Sequence, residues 1–249
     1  MTLFDNKPFA FSAMAKPIGS ACNLNCTYCY YLEKQKLYPG NQRMSDELLE
    51  KFIRQYILIQ QVPVINFVWQ GGEPTLLGLD FFQKVVELQH KHASGKKIEN
   101  SFQTNGTLLN DDWCRFFKKN NFLIGISIDG PEKIHDQHRP FKTGAASWDK
   151  VMTGVNLLRK HGVDFNTLTV IHNDNVKYPI EIYRFLKRIG SGFIQFIPII
   201  ERANTSAAEN DLKLMGPESS PTAKVTEWSV KPEDYSNFLT THFSLLNVR

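Results

Sequence analysis

Nowhere in its 249 residues does the sequence hold an apolar run long enough to cross a bilayer as a helix, which takes roughly 20 residues. The first fifteen residues, Met1 to Ala15, have no basic start, no apolar core and no small-residue cleavage site, so no secretory leader is expected. Cysteine is scarce, with four in the whole chain, too few for a disulfide-stapled secreted scaffold. Charge of one sign is also lacking: 29 basic residues face 25 acidic ones, for a net +4. The longest basic pieces, Lys96-Lys97, Lys118-Lys119 and Lys187-Arg188, are scattered, and no nucleic-acid-binding motif stands beside them. No repeat or low-complexity block is present. Together these absences point to a cytoplasmic protein with neither nucleic acid nor membrane as a partner. The 42% hydrophobic and 22% charged content is that of a globular chain. At this length it should bury roughly 70–75% of its unfolded surface without staples.

The chain alternates β-rich runs with amphipathic helices, which predicts an α/β fold of parallel βαβ units. The expected strands are residues 11–15, 64–69, 98–103, 122–128, 164–171 and 192–197. Between them, Leu48, Leu49, Phe52, Ile53 and Tyr56 share one helix face, opened by Ser45 as N-cap with Asp46 and Glu47 in the first turn. Phe81, Phe82 and Val85 share the next; Asn110 caps a third helix; Val151 and Val155, then Ile182 and Leu186, mark two more. The choice is between a doubly wound sheet and a barrel, and six strands are fewer than the eight a closed βα barrel needs. Either way the chemistry should sit beyond the carboxyl ends of the strands. After about residue 201 the pattern stops. Residues 202–230 predict a polar connector, and residues 231–249 a last helix.

Three of the four cysteines fall within eight residues, Cys22-Asn23-Leu24-Asn25-Cys26-Thr27-Tyr28-Cys29, just after the first strand. Thiolates at such spacing suit zinc, copper(I) or an iron–sulfur cluster. A closed zinc site would need a fourth ligand, such as a distant histidine. A disulfide sits poorly with an odd local count, and inert cysteines would waste reactive thiols. Three ligands on a four-iron cluster would leave one iron open, and Tyr28, Tyr30 and Tyr31 would shield it from water. The fourth, Cys114, lies beside Trp113 and Phe117 and is expected in the core.

This loop, with an aromatic residue before its last cysteine, resembles the signature of radical S-adenosylmethionine enzymes. Four further segments resemble the anaerobic sulfatase-maturating enzymes of that superfamily. They are Lys16 to Ala21, Gln70-Gly71-Gly72-Glu73-Pro74-Thr75-Leu76, Gln103-Thr104-Asn105-Gly106-Thr107-Leu108 and Ser127-Ile128-Asp129-Gly130-Pro131. The resemblance implies a partial barrel of six βα units spanning residues 1–201. Its 4Fe–4S cluster would reduce S-adenosyl-L-methionine to methionine and a 5′-deoxyadenosyl radical. That radical would take a Cβ hydrogen from a cysteine or serine of a sulfatase polypeptide, and a second oxidation would give Cα-formylglycine. The electron would come from a low-potential donor such as a ferredoxin or flavodoxin. Another peptide modification, or a non-catalytic metal-binding remnant, are the alternatives.

Carried over residue by residue, the resemblance makes Cys22, Cys26 and Cys29 the cluster ligands. Tyr28, Gly72, Ser127, Arg139 and Ile200 become contacts to S-adenosylmethionine: a backbone facing adenine, a loop at the amino group, a strand-end hydroxyl, a partner for the carboxylate and an adenine wall. Without the resemblance, Gly72 is a tight-turn glycine, Ser127 a strand-end serine, Arg139 a surface arginine and Ile200 a core residue. Asp129 reads equally as a turn residue before Gly130-Pro131. Gln70 and Asn105 are polar candidates without assigned roles, and His135 and His138 have the spacing of a metal-binding pair but read better as loop histidines. No catalytic residue is assignable, because the family's proton acceptor lies in a cysteine-rich C-terminal part with auxiliary clusters. This chain is expected to end before it.

Overall fold

Residues 10–29, 31, 43–204 and 223–246 are described in a computed structural model, and the alternating runs become one parallel sheet. Strands β1 (Ala13–Ala15), β2 (Val64–Trp69), β3 (Lys97–Thr104), β4 (Phe122–Ser127), β5 (Phe165–Ile171) and β6 (Ile194–Pro198) lie side by side in chain order. Every neighbouring pair is parallel. Parallel neighbours need crossovers. These are α1 (Asp46–Ile59), α2 (Leu79–His92), α3 (Asp111–Lys119), the short α4 (Glu132–Asp136) with α5 (Trp148–Lys160), and α6 (Pro179–Arg188). A doubly wound sheet reverses its strand order at a switch point. This one never reverses, so it is the six-unit partial barrel, a curled half-barrel.

The expected caps are present. Ser45 Oγ accepts from Leu48 N at 3.2 Å and Asn110 Oδ1 from Trp113 N at 3.0 Å, each holding one of the orphan amides of a helix start. One face of the sheet is sealed beneath the helices by Ile65, Phe67, Trp69, Phe102, Ile124 and Phe165. Phe82, Trp113, Cys114 and Phe117 join that core from the helices, as expected for Cys114. A polar pair there is satisfied: Gln89 and Asn100 exchange two hydrogen bonds of 2.9 Å, and Trp69 Nε1 donates to Asn100 Oδ1 at 2.8 Å. Alternate residues face the inside of the curl and stay partly open. They include Asn66, Ser101, Gln103, Ser127, Asn166 and Gln195.

The connector departs from expectation. β7 (Arg202–Asn204) and β8 (Ala223–Val225) pair as an antiparallel ribbon, while residues 205–222, like Tyr30, lie outside the described residues. Three-residue strands carry no periodicity to read, and here pairing follows from position. The ribbon continues directly from β6, with Val230 N bonding Ile199 O at 3.1 Å and Thr226 N bonding Glu201 O at 3.0 Å. The last helix, α7 (Pro232–Leu246), packs Phe238 against Phe196, and residues 247–249 are beyond the described part. No helix among the described residues is long and apolar enough to cross a membrane.

One glycine fixes how a helix meets the working end of the sheet. A Cβ on Gly154 of α5 would stand 2.3 Å from the carbonyl oxygen of Gly106, in the turn after β3. Gly154→Ala must therefore push α5 off that turn. We expect it to cost about 1–3 kcal/mol, the range for overpacking, read as a drop in the thermal unfolding midpoint.

Candidate functional site

The loop from Ala21 to Cys29 has no regular structure, so its backbone polar groups must find partners in other loops. Three βα loops supply them, all at the carboxyl ends of the strands. From the turn after β2, Gly72 N donates to Gly19 O and Glu73 N to Ala21 O, both at 2.8 Å. From the segment after α4, Asn25 N donates to Pro140 O at 2.8 Å and Thr27 N to His138 O at 2.9 Å, while Leu24 forms a bridge with Phe141. From the turn after β3, Thr107 Oγ1 accepts from Asn23 Nδ2 at 2.8 Å, and Asn105 Nδ2 donates to Asn23 Oδ1 at 2.9 Å. Gly72 has to be glycine for this docking: a Cβ there would fall 2.0 Å from Ala21 O. The close approach read from the sequence is thus an approach to the cysteine loop's own main chain.

Glu73 ties the second and third loops together. Fully buried, its carboxylate accepts from Thr75 N (3.0 Å), Thr75 Oγ1 (2.6 Å), Thr104 Oγ1 (2.8 Å) and Asn105 N (2.7 Å). Burial raises its pKa, and those four donors pull it back. On the far side, Tyr28 binds the loop to β4. Its hydroxyl donates to Asp129 and accepts from Arg139 Nη1 at 2.9 Å. Asp129 is fully buried, also accepts from Val170 N at 3.2 Å, and lies 3.7 Å from Arg139. Burial raises the pKa of Asp129, with Arg139 opposing, and raises the Tyr28 phenol well above its ordinary value.

Two default readings of the sequence do not survive. Arg139 is 7% exposed and not a surface residue; its Nε is buried with no hydrogen-bond partner. Ile200 is 62% exposed, beyond the end of β6, and not core. Ser127 ends β4 on the inner face and accepts from Gln103 Nε2 at 2.9 Å. Asp129 holds a network together in addition to preceding a turn. The histidine pair does not form, because its members turn apart. His135 Nε2 meets Ser147 Oγ at 3.0 Å, whereas His138 meets Thr27 Oγ1 at 2.8 Å and Asp174 Oδ2 at 3.1 Å. His138, His172 and Asp174 do gather within 4.8 Å. Both nitrogens of His138 are already engaged, however, and His172 Nδ1 accepts from Asp174 N at 3.2 Å. Burial lowers the His172 pKa to about 4, leaving it neutral. This trio is a hydrogen-bonded strut behind Thr27. Glu73 as a hub was not foreseen; the signal was an acid one residue after a glycine pair, with threonines at 75 and 104.

The three thiols fit a thiolate-bound cluster. Burial pushes the Cys22 thiol up and the Cys26 thiol to about 11. A metal that binds them must therefore displace protons. Main-chain donors already face two of the sulfurs: Leu24 N reaches Cys22 Sγ and Tyr31 N reaches Cys29 Sγ, each at 3.4 Å. The unpartnered Arg139 Nε beside them adds a buried cationic donor of the kind an anionic group would take up.

Comparison with known proteins agrees with this geometry. The chain is 48% identical over 240 residues to the serine-type anaerobic sulfatase-maturating enzyme of Bacteroides thetaiotaomicron, covering 95% of this chain and 58% of that protein. It is 37% identical over 235 residues to the cysteine-type enzyme of Clostridium perfringens, covering 93% and 59%. The solved structure of native anSMEcpe with bound AdoMet and Cp18Cys peptide superposes with a TM-score of 0.78 at 36% identity, covering 94% of this chain and 59% of that one. The chain thus spans less than two thirds of the length of these relatives. The profile of the radical SAM superfamily matches residues 17–186, from the lead-in to the cysteine loop through most of α6. With that match over more than half its length, the chain belongs to the radical SAM superfamily.

Proposed function

We propose that this chain is the cofactor-binding part of an anaerobic sulfatase-maturating enzyme, converting a serine or cysteine of a sulfatase to Cα-formylglycine. The observation that carries the reading is the three-cysteine loop clamped between three βα loops at the carboxyl ends of six parallel strands. Cys22, Cys26 and Cys29 hold the 4Fe–4S cluster. When bound, the cluster and S-adenosylmethionine supply the one-electron, hydrogen-abstracting chemistry. The chain's residues bind and orient. Arg139 meets the carboxylate of S-adenosylmethionine, Ser127 offers its hydroxyl, the Gly72 loop faces the amino group, and the Tyr28 backbone and Ile200 flank the adenine. Residues 1–201 belong to the core and 202–230 to the connector, and the terminal part, 231–249, carries α7 (Pro232–Leu246). A low-potential donor such as a ferredoxin or flavodoxin reduces the cluster in the cytoplasm, with no nucleic acid or membrane taking part.

Serine is the target residue this reading favours. The serine-type relatives are 48% and 47% identical to this chain, against 35–37% for the cysteine-type ones. Anaerobically reconstituted chain, given reductant and S-adenosylmethionine, should release 5′-deoxyadenosine, and Cys26→Ala should abolish that release. Adding serine- or cysteine-bearing sulfatase peptides, with mass spectrometry for the aldehyde, separates the substrates. A properly assembled cluster that cleaves no S-adenosylmethionine would sink the proposal.

Ser127 depends on its neighbour's shape. A Cβ on Gly125 would lie 2.1 Å from Gln103 Oε1. Gly125→Ala should drive the Gln103 amide off Ser127 and weaken S-adenosylmethionine binding about 5- to 10-fold, the loss of a single hydrogen bond of about 1–1.4 kcal/mol. Equilibrium dialysis of the reconstituted protein would measure it.

A further inference from the structure

The side-chain amide of Asn105 has its orientation imposed by main chain. Its Oδ1 accepts from Thr107 N at 3.0 Å and from Thr107 Oγ1 at 2.7 Å. A backbone N–H only donates, so the carbonyl end must face Thr107 and the NH₂ end must face the other way. The backbone of Asn105 is fixed as well, through its own N–H to Glu73 Oε2 at 2.7 Å. On the NH₂ side lie two acceptors: Asn23 Oδ1 at 2.9 Å and the sulfur of Cys22 at 3.8 Å. Asn105 is buried. The Cys22 thiol now faces Asn23 Oδ1 at 3.9 Å, as a donor. A thiolate has no proton for that contact and takes up N–H donors instead, which leaves Asn105 Nδ2 and Leu24 N around the sulfur.

We propose that Asn105 is a positioning residue that donates a side-chain N–H to the Cys22 sulfur and thereby raises the reduction potential of the cluster. The inference rests on the function proposed above, in which Cys22 is a cluster ligand. Reduction adds negative charge to a cluster and its sulfurs, so a donor at sulfur stabilises the reduced form more than the oxidised one. The bond also fixes the cysteine loop against the turn after β3, so tuning and placement come from one amide.

The test compares midpoint potentials of the anaerobically reconstituted chain by spectroelectrochemistry, with resonance Raman spectra of the iron–cysteine stretches. Asn105→Asp keeps the acceptor for Thr107 and loses the donor; Asn105→Ala removes both; Thr107→Ala loosens the same network without touching sulfur. We expect Asn105→Ala to lower the equilibrium constant for reduction about tenfold, a shift of about 59 mV for one electron. Asn105→Asp should lower it further, with altered stretches in both, while Thr107→Ala stays near the parent. Unchanged potentials in both Asn105 variants, or an equal shift in Thr107→Ala, would overturn the inference and leave the cluster assignment standing. Should Asn105→Ala lose iron, the isosteric Asn105→Asp carries the comparison. A parent chain that assembles no four-iron cluster overturns both readings.

Discussion

The structure turns on the docking of an irregular, thiol-bearing loop whose main-chain amides are satisfied by other loops. A helix or a strand would satisfy its own backbone, but it could not follow the irregular path this eight-residue, three-thiol stretch takes. The loop is free to do so only because the carbonyls of Gly19 and Ala21 and the amides of Asn25 and Thr27 have partners elsewhere. Its conformation is therefore a property of the sheet edge that receives it. Gly72 shows how tightly: with any side chain at that position, the turn after β2 and the cysteine loop could not share the same space.

Electrostatics reinforces the packing. Two carboxylates, Glu73 and Asp129, are buried on opposite sides of the loop, and each is answered by donors from a different strand end. For Glu73 the answer is four neutral donors, and hydrogen bonds to a charged oxygen contribute about 1.5–3 kcal/mol each. For Asp129 it is a phenol, an amide and a guanidinium. The difference matters for function. The Glu73 side is closed and structural, with every oxygen used. On the Asp129 side Arg139 keeps an unpartnered Nε, so there the charge balance still has room for a ligand.

Much of this was legible in the sequence, and the reason is periodicity. Residues such as Phe67, Trp69, Ile124 and Phe165 alternate with inner-face residues, and this placed six strands to within a residue or two of their observed ends. Ser45 and Asn110 announced their helices. What periodicity could not show were long-range polar contacts. Nothing in the spacing of Asn105 from Cys22 reveals that their side chains meet, since 83 residues separate them. Arg139 looked like a surface residue because its partners (Tyr28, 111 residues away, and Asp129, in the preceding turn) meet it only in the folded chain. The β7–β8 ribbon escaped for a simpler reason: three residues are too few for alternation.

The inner face of the curl follows from the same logic. In a closed barrel, large branched side chains from all strands fill the interior. Here the inner positions mix polar residues such as Asn66, Ser101, Gln103, Ser127, Asn166 and Gln195 with apolar ones such as Val64, Leu123 and Ile197, all at least partly open, while the opposite face is sealed by residues such as Phe67, Trp69 and Ile124. A half-barrel with a filled interior would have to bury apolar groups with no far wall to meet them. The amides and hydroxyls among these positions can hydrogen-bond water at that open face. An incomplete barrel and a partly open inner face are thus two sides of one arrangement. That open face runs up to the carboxyl ends of the strands, where the turns that receive the cysteine loop lie.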